Sequence, residues 1–271
     1  MTQVELRCLN CDTPLQGKFC CACGQKQIEP HERTFKYLTA QFLSSAFLLE
    51  KSLLKNLWLV VAKPGFLAKE YVEGKQKRYI PPFSIFLLIN FFYFIFSPLS
   101  DFNLSLEDQI MLQPYSSISK RMVDNKIKKE QITFEEYEAK YWDWSLALSK
   151  SLIILNVPIT AFFLTIWFRR RKIYFADHFI YALYFYAFLL LFMQLYFGFL
   201  PDGLFSDFEW LVKRAIPIII LLLYTYLSLK RFYFARSKID PFINSLVMVV
   251  IIIITHFSYR AILFFTTYAI T

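Results

Sequence analysis

The chain has 271 residues, of which 56% are hydrophobic and 20% aromatic, whereas ordinary soluble domains contain roughly 45 to 50% apolar residues. This composition indicates an integral membrane protein. The net charge of +9 does not indicate nucleic acid, because basic cytoplasmic loops between membrane helices explain it. The first nine residues contain no apolar core and no cleavage site of a secretory signal. We therefore expect the N-terminus to stay in the cytosol.

Four cysteines near the N-terminus have the spacing of a zinc ribbon. Cys8 and Cys11 form one Cys-x2-Cys pair, and Cys20 and Cys23 form a second pair after eight intervening residues. Two such pairs surround a zinc ion with four thiolates and leave no open position, so we predict a structural zinc site within residues 1–30. A disulfide framework is disfavoured because the cytosol is reducing. The ribbon then has one of two roles. Either it docks a protein partner, or the zinc only folds these residues and the ribbon binds nothing else.

Residues 34–62 have the periodicity of one amphipathic helix. Thr34 is a suitable N-cap, and apolar side chains recur at steps of three and four residues from Phe35 to Val61. Trp58 lies near the end of this segment. We predict a helix that lies in the membrane interface, and the alternative is a helix packed on the rest of the protein.

Residues 63–82 are charged and aromatic, and we call them the collar. Pro64 and Gly65 end the preceding helix, and Pro81-Pro82 open a long apolar segment. The basic residues of the collar that we single out are Lys75, Lys77 and Arg78. The collar therefore marks the point at which the chain passes from water into lipid.

The cysteine motif and the collar together resemble an uncharacterised family of bacterial polytopic membrane proteins with an N-terminal zinc ribbon. The motifs that carry the resemblance are Cys-x2-Cys with Cys-x2-Cys-Gly-Gln ending at Gln25, Pro64-Gly65, Glu70-Tyr71, Gly74-Lys75 and Arg78-Tyr79-x-Pro81. The combination covers roughly the first 95 residues. The resemblance implies an architecture and no reaction. One departure is that Gln76-Lys77 follow Gly74-Lys75, where the family often has arginine directly after Gly-Lys.

The rest of the chain contains five apolar segments that we predict to be transmembrane helices. These are residues 83–100, 148–168, 178–200, 211–229 and 242–268. Clusters of lysine and arginine precede the first, follow the second and separate the fourth from the fifth, so five spans place all three clusters on one side. The sequence therefore predicts an all-α protein of the bacterial cytoplasmic membrane, with its N-terminus in the cytoplasm and its C-terminus outside.

A polar segment, residues 101–145, is predicted to form a cap on the outer side. Thr133 and Glu136 have the spacing of a capping box, which indicates the start of a helix. We expect this helix to continue through Tyr141 and Trp144 into the second span. No cysteine, histidine or glycine-rich motif in the segment indicates catalysis.

His256 and Arg260 are ionisable residues within the fifth predicted span. They are four residues apart and therefore share a helix face. One hypothesis is an anion site in which the guanidinium holds a phosphate or a carboxylate. The alternative is that Arg260 extends to the outer surface while His256 bonds to a neighbouring helix.

The sequence favours a non-enzymatic membrane scaffold or adaptor whose cytosolic ribbon recruits a protein partner. It contains no paired aspartates, no histidine box and no serine-histidine arrangement within the spans, so we predict no enzyme. The alternative is a carrier or flippase for an amphipathic anion such as a lipid phosphate, which would use His256, Arg260 and the basic residues of the collar. The expected partners are the lipid bilayer and a cytosolic protein, not nucleic acid.

Overall fold

The structure is a computed structural model that describes residues 6–27, 53–96, 102–198, 211–234 and 241–271. Most of this part is helical, and isolated β-bridges occur only in the described residues of the ribbon. The α-helices are α1 (Leu53–Ala62), α2 (Phe66–Val72), α3 (Pro82–Phe96), α4 (Leu106–Met111), α5 (Ser116–Glu130), α6 (Phe134–Leu152), α7 (Asn156–Trp167), α8 (Phe175–Gly198), α9 (Ile216–Phe232) and α10 (Phe242–Ile270).

Three helices of the described part are long and apolar enough to cross a membrane. They are Phe134–Trp167, which joins α6 to α7, Phe175–Gly198, which is α8, and Phe242–Ile270, which is α10. These helices contain the second, third and fifth predicted spans over nearly their whole length. The fold is therefore all-helical and consistent with a membrane protein.

The prediction of five spans is not confirmed. The first predicted span, 83–100, contains α3, whose 15 residues measure about 22 Å against a hydrocarbon core about 30 Å thick. Residues 97–100 lie outside the described part. The fourth, 211–229, is a five-residue π-helix followed by the 17 residues of α9. Pro217 near the start of α9 lacks an N–H group and so interrupts the α-helical hydrogen bonds at this point.

The predicted amphipathic helix is described only from Leu53 onward, as α1, and residues 34–52 lie outside the described part. The face that α1 buries differs from the predicted face. Asn56 is fully buried, whereas Val61 is 39% exposed. The Asn56 side chain accepts a hydrogen bond from the backbone N–H of Ile80 at 3.2 Å. This polar contact turns α1 away from the orientation that apolar periodicity alone predicts.

The chain divides into two compact units, and α7 and α10 contribute residues to both. The first unit contains residues 1–96 and 161–249. Its central helix is α8, which packs against α1, α2 and α3 and is buried continuously from Asp177 to Phe188. A helix that is apolar on all sides is expected at the centre of a helical assembly.

Tyrosine hydroxyl groups connect the short helices of the first unit to α8 and α9. Tyr184 on α8 donates a hydrogen bond to the carbonyl oxygen of Ile80 at 3.0 Å. Tyr224 on α9 donates to the carbonyl oxygen of Val60 at 2.8 Å. Both carbonyl groups lie at the ends of helices or beside them, where intrahelical donors are absent. The tyrosines therefore satisfy acceptors that water cannot reach.

The second unit contains residues 97–160 and 250–271. Here α4, α5 and the first half of α6 pack around the end of α10, with a core that includes Leu106, Val123, Tyr137, Tyr141 and Phe264. The predicted capping box of Thr133 and Glu136 is confirmed at the start of α6. The predicted continuation of this helix toward the second span is confirmed as well.

Two lysines of the cap bind carbonyl oxygens at the end of α10. Lys126 donates to the carbonyl oxygen of Tyr268 at 2.9 Å, and Lys140 donates to that of Thr271. Positive charge is favourable at this end of a helix because the helix dipole places negative charge there. These lysines therefore stabilise the second unit.

Candidate functional site

The ribbon brings the four predicted cysteine ligands together. All four sulfur atoms lie within 4.8 Å of one another. The Sγ atoms of Cys8 and Cys23 are 3.6 Å apart, and those of Cys11 and Cys20 are 3.5 Å apart. Such a set could bind a metal ion.

The two Cys-x2-Cys pairs have the same backbone geometry. Asp12 follows the first pair with φ 62°, and Gly24 follows the second with φ 67°. Each donates its backbone N–H at 2.8 Å to the carbonyl oxygen of the first cysteine of its pair, Cys8 or Cys20. Glycine adopts this left-handed conformation freely, and aspartate tolerates it better than most residues. The backbone therefore positions the sulfur atoms.

The thiol groups of Cys8 and Cys11 have different pKa values. Hydrogen bonding to Thr13 lowers the pKa of Cys11 to about 6, whereas burial raises the pKa of Cys8 to about 11. Metal ligands must be thiolates. A metal ion bound here at neutral pH would therefore displace the proton of Cys8, and the Gln27 amide, which donates to the Cys8 sulfur at 3.4 Å, would stabilise the resulting thiolate.

The ribbon is attached to the collar through the side chain of Gln25, which is only 4% exposed. Its amide nitrogen donates to the carbonyl oxygen of Gly74 at 2.5 Å. Its amide oxygen accepts from the backbone N–H groups of Gln76 at 3.1 Å and Lys77 at 3.2 Å. One side chain two residues beyond the last cysteine thus binds three backbone groups of the collar.

Gly74 also contacts the first cysteine pair. Its φ of +99° disfavours any other residue, and a Cβ atom there would lie 2.6 Å from Cδ1 of Leu9 and 2.9 Å from its Cβ. Leu9 follows Cys8, so both cysteine pairs contact the same turn of the collar. The ribbon is consequently seated on the collar at two points.

Of the predicted basic residues of the collar, Lys75 is engaged in an ion pair. Its ammonium nitrogen lies 2.6 Å from a carboxylate oxygen of Glu70, and this hydrogen bond raises the pKa of Lys75. Tyr79 donates to the other oxygen of Glu70 at 3.3 Å. Lys77 and Arg78 are exposed. Lys75 therefore organises the collar, and the other two face solvent.

The collar packs closely on α9 at Gly65. This residue has φ +70°, and a Cβ atom on it would lie 2.5 Å from the carbonyl oxygen of Ser228. Arg231 on the next turn of α9 donates to the carbonyl oxygen of Pro64 at 2.6 Å. The Pro64-Gly65 motif therefore brings the backbone of the collar into contact with α9, in addition to ending the preceding helix.

The predicted anion-site residues, His256 and Arg260, lie in the second unit and are both half-buried. The His256 ring meets the Phe102 ring edge to face, with centroids 5.9 Å apart. Burial raises the pKa of Tyr115, and the positive charge of Arg260 acts on it in the opposite sense. The Arg260 face of α10 therefore meets the cap.

Sequence reasoning missed the contact between Gln25 and Gly74 and the pairing of Glu70 with Lys75. All four residues belong to the motifs that carry the family resemblance. Their joint occurrence is the signal that could have indicated that the ribbon binds the collar.

Comparison with known proteins gives a single finding. No curated protein and no solved structure matches the chain. The family model described as a protein of unknown function (DUF3667) matches residues 50–94, a segment that holds α1, α2, the collar and most of α3.

Proposed function

We propose that the chain is a non-enzymatic integral membrane adaptor whose zinc ribbon recruits a cytosolic protein. The observation that carries this proposal is the seating of the ribbon through Gln25, whose side chain binds the collar backbone at three positions. A ribbon fixed in this way presents its outer surface at a constant place beside the first apolar helix. A partner that binds it is brought to the membrane.

The metal in this proposal is zinc. Four thiolates at about 2.3 Å from a tetrahedral zinc ion are separated by about 3.8 Å, which is close to the observed 3.5 and 3.6 Å. A four-sulfur site leaves no position for a substrate and is structural. Its role is to fold the ribbon, since so few residues cannot bury a core of their own.

The recruiting surface consists of exposed apolar and basic side chains, and we call it the ribbon face. Leu6 is 74% exposed and Phe19 is 63% exposed. Lys18 and Lys26 are exposed beside Phe19, and Lys26 pairs with Phe19 through the backbone. Large exposed apolar side chains ringed by charge are typical of binding surfaces. We expect a partner with an apolar pocket and an acidic rim.

The test is a matched pair of substitutions on the ribbon. Phe19→Ala is expected to abolish crosslinking of the partner in cells, whereas Gln16→Ala, also at an exposed position, is expected to retain it. Both variants should keep one zinc per chain, because neither residue is one of the four clustered cysteines. Crosslinked products are identified by mass spectrometry, and the zinc content is measured by elemental analysis.

Two further variants separate this proposal from the alternative. Cys8→Ser with Cys11→Ser is expected to abolish the cellular phenotype, and His256→Ala with Arg260→Ala to leave it unchanged. Deletion of the first 30 residues without loss of that phenotype would contradict the adaptor. The reverse pattern would favour a carrier or flippase for an amphipathic anion, which the position of Arg260 against the cap supports.

The proposed topology has five spans in the bacterial cytoplasmic membrane, with the N-terminus inside and the C-terminus outside. Three clusters of lysine and arginine on one side support it, and the sequence contains no charged residue from the start of α3 to position 100. In intact cells, an impermeant maleimide is expected to label Lys129→Cys in the cap but neither Arg170→Cys nor the native chain. Labelling of both introduced cysteines from outside would contradict the topology.

A further inference from the structure

Seven lysine and arginine side chains occur in three segments of the first unit that contain no acidic residue. The segments are residues 58–66, 167–175 and 226–234. Asp177, the acidic residue that follows the second segment, is buried. Five of the seven basic side chains are exposed, and we call these five the basic belt: Lys63, Arg169, Arg170, Lys172 and Lys230.

The other two basic side chains, Arg171 and Arg231, join the three segments. Arg171 donates a hydrogen bond to the carbonyl oxygen of Tyr233 at 2.8 Å, which connects the second segment to the third. Arg231 donates to the carbonyl oxygen of Pro64 at 2.6 Å, which connects the third segment to the first. Each of these bonds is made within a few residues of the belt in the sequence. The three segments therefore carry their exposed cations on the same part of the first unit.

The local backbone determines which arginines of the second segment point outward. Arg169–Arg171 forms a 3₁₀ turn, in which successive side chains point about 120° apart. The first two arginines are exposed, and the third is half-buried and bound to the end of α9. Phe168, which precedes the turn, stacks on Tyr233 with ring centroids 4.3 Å apart. The turn is therefore packed on the end of α9 and presents two arginines to the outside.

The belt lies where two apolar helices meet the membrane surface. The helices Phe134–Trp167 and Phe175–Gly198 are both long and apolar enough to cross a membrane, and only residues 168–174 connect them. A connection this short holds the belt at the level of the lipid head groups. Tryptophan and tyrosine are enriched at that level, and the exposed aromatic side chains of the segments include Trp58, Trp167 and Tyr174.

We propose that the basic belt binds the head groups of anionic phospholipids in the leaflet on its side of the membrane. Basic side chains at a membrane surface attract anionic lipids, and basic surfaces beside membrane helices bind their phosphate groups. Phosphatidylcholine carries a positive choline group beside its phosphate, so the belt discriminates against it. This binding uses neither the ribbon nor His256 and Arg260, so it stands apart from the adaptor proposal and from the alternative carrier.

The experiment uses the full chain purified in dodecyl maltoside, an uncharged detergent. The probe is tetraoleoyl cardiolipin, and dioleoyl phosphatidylcholine is the control lipid. Native mass spectrometry counts the lipids bound to the chain, and the rise of the thermal unfolding midpoint reports the same binding. We expect cardiolipin to bind the wild-type chain, more weakly as salt is added, and phosphatidylcholine to have little effect. Equal binding of the two lipids would overturn the proposal.

The decisive variant removes three charges of the belt by combining Arg169→Gln, Arg170→Gln and Lys230→Gln. All three side chains are exposed, so the unfolding midpoint without lipid should change little. The affinity for cardiolipin is expected to fall about tenfold or more, because three attractions to phosphate groups are lost. Unchanged affinity would overturn the proposal, and if this variant also lost a crosslinked protein, the belt would be assigned to an acidic protein partner instead.

The matched control removes three exposed charges from the cap by combining Lys120→Gln, Lys128→Gln and Lys129→Gln. The net charge of the chain changes by the same amount as in the belt variant. We expect the control variant to bind cardiolipin with the affinity of the wild-type chain. An equal loss of affinity in both variants would overturn the proposal, because the net charge alone would then explain the binding.

Discussion

Replacing Cys8 and Cys11 with serine is expected to abolish zinc binding and to open the collar to protease. Two sulfurs cannot hold the metal, and a structural zinc supplies on the order of 10 kcal/mol to the folding of such small units. Without it the ribbon unfolds, and Gln25 no longer binds the backbone of Gln76 and Lys77. Zinc content should fall from one per chain to none, and tryptic cleavage after Lys77 should accelerate at least about tenfold.

Two control variants make this result specific. Cys21→Ser changes an exposed cysteine outside the four-sulfur set, so zinc content and protection should both persist. Gln25→Ala should keep zinc and lose protection, because it removes only the contact with the collar. A double serine variant that still holds one zinc per chain would show that the four sulfurs are not the ligand set.

Gly65→Ala is expected to destabilise the first unit by about 2 to 4 kcal/mol, the sum of overpacking and an unfavourable left-handed backbone. The added Cβ would lie 2.5 Å from a backbone oxygen of Ser228. Ser228 cannot easily withdraw, because its hydroxyl is hydrogen-bonded to Tyr181 at 2.7 Å. The measurement is the denaturant midpoint of the purified chain in detergent.

Gly74→Ala provides a comparison in which the clash can be relieved. Its Cβ would meet the side chain of Leu9 rather than a backbone atom, so Leu9→Ala should restore part of the loss. No side-chain truncation should rescue Gly65→Ala. Gly17→Ala, with open space around it and no positive φ, should be neutral. A Gly65→Ala variant as stable as Gly17→Ala would show that α2 and α9 do not approach as described.

The long apolar helices were predictable because their signal is local. The run from Phe242 to Ile270 contains Arg260 as its one charged residue, and helix length follows from such a run alone. The start of α6 was equally accessible, since Thr133 and Glu136 form their capping box within four residues. The cysteine cluster was predictable for the same reason, as its spacing is itself the geometric constraint.

What sequence reasoning missed depends on contacts between distant parts of the chain. The buried face of α1 is set by the hydrogen bond between Asn56 and Ile80, which are 24 residues apart. Hydrophobic periodicity does not predict such a bond. The contact of Gln25 with Gly74 spans 49 residues. The sequence predicts Gly65 only as the end of a helix, and its close approach to Ser228 depends on α9, which lies far away in the sequence.

The segment that the family model matches depends on the hydroxyl groups of Tyr184 and Tyr224, which lie outside it. That segment, residues 50–94, exposes carbonyl oxygens of Val60 and Ile80 that helices outside it must satisfy. A buried carbonyl oxygen without a hydrogen-bond donor destabilises a protein by roughly 1 to 3 kcal/mol. The segment is therefore not a portable module: moved into another protein without matching donors, it would carry two such oxygens.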